Sequence, residues 1–471
     1  MNRLILGVFI LLSLPTHALS LPEEVASFGR FGKITLYRES QHPSQVVLFI
    51  SGDGGWNKGG IDMAKSLASL DAVVVGINIT HYLKELRVSS EKCSYPAADF
   101  EMLSKFIQKK LDFSNYMPPV LVGYSSGATL AYATLVQAPP NTFRGAISLG
   151  FCPDLPLTKP FCRGYGLEWK PGPRGIGYSF LPASNLQTPW IAFQGTIDQV
   201  CNATAVETYV KQVREGSIVL LPKVGHGFGV QRNWMPQFRR VFKTLIEKQE
   251  TDHSSFANEL KDLPLIEVLP KDPSGNLVAV ILSGDGGWAG IDRDLGNTLA
   301  HQGISVVGLN SLQYFWTQRT PDGSARDLEG ILRHYLDSWK KEKSIIIGYS
   351  MGADVLPFMV NRLPDTTLAR IQGIALLGPS DTAEFEFHLT DWLGGHSAKK
   401  VYSVLPEVEK LKGMKVLCLY GEEERDSLCR TLDTGLGKII PLKGGHHFAG
   451  GYEAIADTIL KELSYKDKMG K

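Results

Sequence analysis

Short unbroken apolar runs recur along the chain in two sets. Val46–Ile50, Val73–Ile77, Val120–Val122, Ala146–Leu149 and Trp190–Phe193 form the first; Val278–Leu282, Ser305–Leu309, Ile345–Ile347, Gly373–Leu377 and Val416–Tyr420 form the second. None alternates polar with apolar positions, and stretches of helix length separate them. Buried strands spaced by helices predict mostly parallel sheets with helices on both faces. Right-handed crossovers then place the loops that follow the strands along one edge of each sheet, where such folds carry their chemistry. The start of the chain differs. Arg3 precedes an apolar run, Leu4–Leu14, and then Pro15 and the small residues Ala18 and Ser20. That run is too short to span a bilayer and predicts a secretory signal over residues 1–20. No later apolar run is long enough to cross a membrane, so an exported protein without a transmembrane segment is expected after signal removal.

The two sets belong to a repeat. VVLFISGDGGW (46–56) matches VAVILSGDGGW (278–288), and LVGYSSGA (121–128) matches IIGYSMGA (346–353). Asp198-Gln-Val-Cys201 pairs with Asp426-Ser-Leu-Cys429, and GHGF from Gly225 with GHHF from Gly445. The order is the same in both halves and the offset drifts by a few residues, as loop insertions in diverged copies produce. Two tandem domains follow, residues 21–247 and 263–471, each of ordinary single-domain size. The polar stretch 248–262 is read as their linker.

Composition narrows the function. Lys and Arg number 49 against 48 Asp and Glu, a net charge of +1. That balance, with no basic stripe, argues against nucleic-acid partners. Six cysteines are too few for a disulfide-built scaffold. They fall as Cys93, Cys152, Cys162 and Cys201 in the first copy and Cys418 and Cys429 in the second. Even numbers in each half predict pairing within each copy, with Cys418–Cys429 forced and three connectivities open for the others. Zinc-type spacing and a phosphate-binding G-x-x-x-x-G-K are both absent, so no metal or cofactor is expected.

The candidate chemistry is nucleophilic. Gly348-Tyr-Ser350-Met-Gly352 follows a strand and opens a helix-like run, the context of a nucleophile elbow; Gly123-Tyr-Ser125-Ser-Gly127 does the same in the first copy. A serine nucleophile needs a histidine base, and the base needs an orienting carboxylate. The order Ser, acid, His is met by Ser125, Asp198 and His226, and by Ser350, Asp426 and His446. In the second copy, counting from the preceding glycine favours Glu424. Counting back from the cysteine favours Asp426, which is preferred here because a disulfide would fix that end of the loop. His447 is the alternative base. The amide of Met351 and those of Gly286 and Gly287, in the S-G-D-G-G-W loop, are expected to form the oxyanion hole, with Trp288 beside the substrate; an ordinary glycine-rich turn with Trp288 as packing is the other reading. Asp285 could brace that loop or bind a cationic group. Asp354, found only in the second copy, is either a charge suited to the first turn of a helix or an ammonium ligand. Phe385–Leu389, with Trp392, lies where a cap would sit and could line an acyl or lipid site or pack the cap; Cys152–Pro173 replaces it in the first copy.

The doubled S-G-D-G-G-W, the elbow G-Y-S-M-G-A-D and the tail G-G-H-H-F resemble the VirJ/AcvB family of bacterial virulence proteins, in its two-copy form. The resemblance implies a periplasmic α/β-hydrolase acting on an aminoacylated phospholipid at the membrane surface, lysyl-phosphatidylglycerol, with Ser350 as nucleophile. It also implies association with type IV secretion components. A non-catalytic exported binding protein and a generic carboxylesterase are the alternatives.

Overall fold

The computed structural model describes residues 23–250, 260–273, 275–388 and 400–463. The expected signal segment, most of the polar junction, and Leu389 and Trp392 lie outside them. The helix Met235–Glu250 runs into the stretch read as a linker.

Among the described residues, two large sheets carry the repeat. The first contains β1 (Glu24–Phe28), β2 (Gly32–Tyr37), β3 (Gln45–Ile50), β4 (Ala72–Ile77), β5 (Val120–Tyr124), β6 (Gly145–Leu149), β10 (Trp190–Gly195) and β11 (Gly216–Leu221), in the order β1-β2-β4-β3-β5-β6-β10-β11. Between β6 and β10, the short strands β7 (Asp154–Leu155), β8 (Trp169–Pro171) and β9 (Tyr178–Phe180) form a small cap sheet. The second large sheet contains β12 (Leu265–Val268), β13 (Leu277–Leu282), β14 (Ser305–Leu309), β15 (Lys343–Tyr349), β16 (Ile371–Leu377), β19 (Val416–Gly421) and β20 (Lys438–Leu442), in the order β12-β14-β13-β15-β16-β19-β20. Its cap pair is β17 (Thr382–Ala383) with β18 (Tyr402–Ser403). Among the described residues the antiparallel pairings of the large sheets are β1 with β2, β2 with β4 and β12 with β14. The shared strand order, with a strand–elbow–helix unit after β5 and after β15, is that of an α/β-hydrolase.

The unalternating apolar runs are explained by burial on both faces. Along β3, Val46, Leu48 and Ile50 enter one core while Val47 and Phe49 enter the other. Along β13, Val278, Val280 and Leu282 separate in the same way from Ala279 and Ile281. Each such side chain contributes about 1.5–3 kcal/mol on full burial.

The tryptophan of S-G-D-G-G-W belongs to this packing. Trp288 is buried, and its ring lies where a Cβ on Gly308 of β14 would come within 2.2 Å. Trp56 covers Gly76 of β4 in the same way and donates its indole N–H to Tyr37 Oη at 2.9 Å. A glycine inside a buried strand is where another group approaches the backbone closely. The expectation that Trp288 contacts substrate is therefore corrected: its ring fills the helix–sheet interface.

The halves also meet directly. Trp316, in the loop after β14, donates its indole N–H to Phe113 O at 2.7 Å and lies 5.2 Å from the Tyr116 ring. Lys109 donates to Trp316 O at 2.6 Å, with its ammonium 4.4 Å from the centroid of that ring. On its other side Trp316 stacks on Phe387, in the second cap, at 5.7 Å.

Three disulfides, Cys93–Cys162, Cys152–Cys201 and Cys418–Cys429, stay within their halves. They fit an oxidising compartment. Among the described residues no helix is long and apolar enough to cross a membrane. Peptide mapping without reduction should recover these three linked pairs. Replacing Cys93 and Cys162 together by serine should cost about 2–4 kcal/mol of stability in denaturant unfolding.

Candidate active site

The site in each half begins with a backbone that only its neighbours' glycines permit. Ser125 sits at φ 54° and Ser350 at φ 52°, a left-handed conformation costly for any residue with a Cβ. A Cβ on Gly123 would meet Gly127 O at 2.0 Å, and one on Gly127 would meet Ser51 O at 2.3 Å. Gly348 and Gly352 are confined equally, by Gly352 O at 2.5 Å and Leu282 O at 2.2 Å. The helix therefore starts in backbone contact with the sheet, and the serine stands at its N-terminus.

In the first half the expected side chains form one hydrogen-bonded chain. Ser125 Oγ lies 2.9 Å from His226 Nε2, and His226 Nδ1 lies 2.9 Å from Asp198 Oδ2. Asp198 is held in turn by the amides of Val200 and Cys201 and by Gln194 Nε2. Cys201 lies close to Asp198 and His226 as well, but its sulfur is committed to Cys152.

In the second half the acid is different from the one expected. His446 Nδ1 is hydrogen-bonded to Glu424 Oε1, whereas Asp426 is exposed. The turn that presents the acid explains the correction. Asp198 N donates to Gly195 O at 3.2 Å, and Glu424 N donates to Gly421 O at 2.9 Å, so the two acids sit at the same step after their strands. The cysteines are not equivalent anchors. Cys201 reaches Cys152 in the loop after β6, but Cys429 reaches back to Cys418 within β19. Burial opposes ionisation of Glu424, yet hydrogen bonds from His446 and the Gly421 amide hold its carboxyl below the usual range. The same bond raises His446, against burial. His447 is occupied elsewhere, with Nδ1 2.9 Å from Tyr349 Oη, and burial and the neighbouring His446 lower its pKa. No hydrogen bond joins Ser350 Oγ to His446 in this structure among the described residues.

The oxyanion expectation is corrected in part. Gly287 at φ 78° donates its N–H to Gly284 O at 3.0 Å, closing the turn, and is not free for a ligand. Gly284 N lies 3.4 Å from the buried Asp292. Among the described residues the amides of Asp285, Gly286 and Met351 make no hydrogen bond. A Cβ on Gly284 would lie 3.4 Å from Ser350 Cβ, so Asp285 follows a residue in contact with the serine.

A pocket opens at Ser350. Met351, Asp285, Asp354, Glu384, Glu386, Phe387 and His388 line it with Ser380 and Thr382. Asp354 accepts the Ser380 amide at 2.6 Å, tying the cap loop to the elbow helix, and burial pushes its carboxyl up to about 8. Thr129, its counterpart, ties the first cap through Cys152 O at 2.5 Å. Phe385 packs into the core against Phe315, Phe358 and Tyr402, while Phe387 forms a wall of the pocket. Sequence reading missed Glu384 and Asp292. The alternation E-F-E-F at 384–387 was the available signal, since Phe385 turns into the core while Glu384 and Glu386 face the cavity.

The profile of the bacterial virulence protein VirJ matches residues 44–148 and 276–467, more than half of the chain. The chain belongs to the VirJ family. The matched segments of this VirJ-family protein hold both S-G-D-G-G-W loops, both elbows, and Glu424 and His446. No curated protein matches the chain significantly. Similar solved structures include a lidless α/β serine hydrolase from Xanthomonas campestris (19% identity, 50% of this chain and 96% of that one, TM-score 0.31). They also include an α/β serine hydrolase homologue from Coxiella burnetii (15%, 50% and 99%, 0.30) and a dienelactone hydrolase from Anabaena variabilis (16%, 48% and 97%, 0.35).

If Glu424 is what raises His446, Glu424→Gln should lower the His446 pKa. Asp426→Asn should leave it in place. Titration of the ring Cε1 proton by NMR reads both.

Proposed function

We propose that this protein is an exported, periplasmic serine hydrolase that cleaves the aminoacyl ester of lysyl-phosphatidylglycerol at Ser350, releasing lysine and phosphatidylglycerol. The observation that carries this reading is the acidity of the Ser350 pocket: Asp285, Glu384 and Glu386 line it with Asp354, whose carboxyl is largely neutral at pH 7, and among the described residues His388, 3.7 and 3.8 Å from Glu384 and Glu386, is the one basic side chain of the lining. A lysyl ester brings two ammonium groups to those carboxylates. Membership of the VirJ family agrees with it.

The residues perform an acyl transfer. Ser350 Oγ attacks the lysyl carbonyl carbon while its proton passes to His446 Nε2, which needs a small movement from the present geometry; such bonds commonly tighten only with substrate bound. Glu424 holds the imidazole and stabilises the imidazolium. The free amides of Met351 and of Asp285 or Gly286 receive the oxyanion. The imidazolium then protonates the departing glycerol oxygen, and water repeats the sequence on the lysyl-serine ester. The Asp285 carboxylate opposes an oxyanion formed nearby unless a cation offsets it. A cationic acyl group supplies that cation, so uncharged esters should react poorly.

Purified protein should release lysine from lysyl-phosphatidylglycerol in mixed micelles without added metal. Ser350→Ala should lower kcat by at least about a thousandfold while the protein remains folded. Unchanged lipid with wild-type protein, or full activity in Ser350→Ala, would refute the assignment.

The Asp354 carboxyl, pushed up to about 8, is largely neutral at pH 7 and ionises as pH rises, while a lysine ε-ammonium stays charged to about 10. KM for the lysyl ester should therefore fall as pH rises through about 8. Asp354→Asn should flatten that dependence, and a slope that survives the substitution would remove Asp354 from substrate binding.

A further inference from the structure

The first half carries a nucleophile arrangement at least as complete as the second, beside a pocket of opposite charge. The geometry points to Ser125 as the nucleophile of a second, independent hydrolase site, specific for esters whose acyl group is anionic. The inference shares with the preceding proposal only the reading of a serine–histidine–carboxylate chain as hydrolytic; the serine, the pocket and the substrate class are different.

Three observations carry it. The hydrogen-bonded chain from Ser125 through His226 to Asp198 is closed, at 2.9 Å for each bond. A cavity of about 250 Å³ opens beside the S-G-D-G-G-W loop, walled by the helix after β4 and by the cap segment after β6; it shares with the Ser350 pocket the aspartate of that loop and the cap segment, but the elbow itself does not line it. Asp53 joins cavity and elbow: it lines the cavity and accepts the hydroxyl of Ser126, the residue after the nucleophile, at 2.6 Å.

The rim is cationic. Lys84, Arg87 and Lys159 line the cavity, and Asp53 is its one acidic residue. Lys159 donates to the carbonyls of Ser89 and Glu91, and its charge also acts on the nearby Glu91 carboxylate. Lys84 and Arg87 are exposed and make no ion pair among the described residues. The Ser350 pocket carries Asp285, Glu384 and Glu386 instead, beside the largely neutral Asp354. Leu83, Leu157 and Phe161 supply an apolar floor for the chain between the ester and its charged end. The Cys93–Cys162 disulfide fixes that wall, with Cys162 N donating to Ser94 O at 2.8 Å.

The reaction is a hydrolysis. The Ser125 Oγ proton moves to His226 Nε2 as the Oγ–carbon bond forms. The ester carbon–oxygen bond breaks, and its oxygen takes the proton from His226. Water then cleaves the acyl-serine ester by the same transfers, releasing an acid whose far end carries a second negative charge.

The test uses the full chain as Ser350→Ala, so that only Ser125 can react. The probes are para-nitrophenyl hemiadipate, its neutral analogue para-nitrophenyl hexanoate, and the cationic ω-trimethylammonio-hexanoate ester. The hemiadipate should be favoured over the hexanoate by about tenfold in kcat/KM, the scale of two exposed charge pairs. Lys84→Gln with Arg87→Gln should lower that ratio several-fold, with Lys159 left to hold the remainder. Ser125→Ala should abolish turnover of all three, and a fluorophosphonate should label Ser125 in the parent variant. Absence of both labelling and turnover, preference for the cationic ester, or a ratio indifferent to Lys84 and Arg87 would overturn the inference. Lysine release by wild-type protein is read separately, so failure here leaves the Ser350 assignment standing, and the reverse.

Discussion

Both sites depend on a backbone contact too close for any side chain. Gly127 and Gly352 bring the first turn of a helix against the carbonyls of the neighbouring strand, and this proximity forces the preceding serine into a left-handed conformation. A methyl group there would meet backbone oxygen at 2.2–2.3 Å, and neither partner can move without unpacking a sheet buried on both faces. The strained turn is affordable because so much apolar surface surrounds it. From it follow the exposure of the hydroxyl, the free helix amide beside it, and the register that brings acid and histidine to the same edge.

The copies have kept this scaffold and changed what stands on it. The residue four positions after the serine ties down the cap in both halves, but with a threonine hydroxyl in one and a carboxylate in the other. The residue after the serine is Ser126 in the first copy, where it satisfies Asp53, and Met351 in the second, which leaves Asp285 without a corresponding hydroxyl. Small replacements next to an unchanged elbow thus change which groups the cap loop and the S-G-D-G-G-W aspartate are tied to.

Much of this was legible in the sequence because the relevant constraints are local. An unalternating apolar run means two buried faces, and glycine at fixed distances from serine means a tight strand-to-helix turn. Gly195 and Gly421 pointed to the right acid, since each ends a strand and the turn that follows is set by backbone geometry. The cysteine count misled because a disulfide's partner decides what it anchors, and the two partners lie in different elements. Gly308 and Gly76 were overlooked signals that the nearby tryptophans lie flat on strands. Asp292 and the contact of Trp316 with the first half depend on chain segments distant in sequence, for which no local spacing exists, whereas Glu384 was within reach of the E-F-E-F alternation.

Trp316 has a bearing on how the tandem persists. Its ring is enclosed by Tyr116 and Lys109 on one side and by Phe387 on the other. With an indole shared at the seam between the halves, deleting either copy would strand apolar surface beside a pocket wall. Duplication can be reversed while the copies merely coexist; a shared tryptophan works as a ratchet, turning a redundant pair into a single inherited unit.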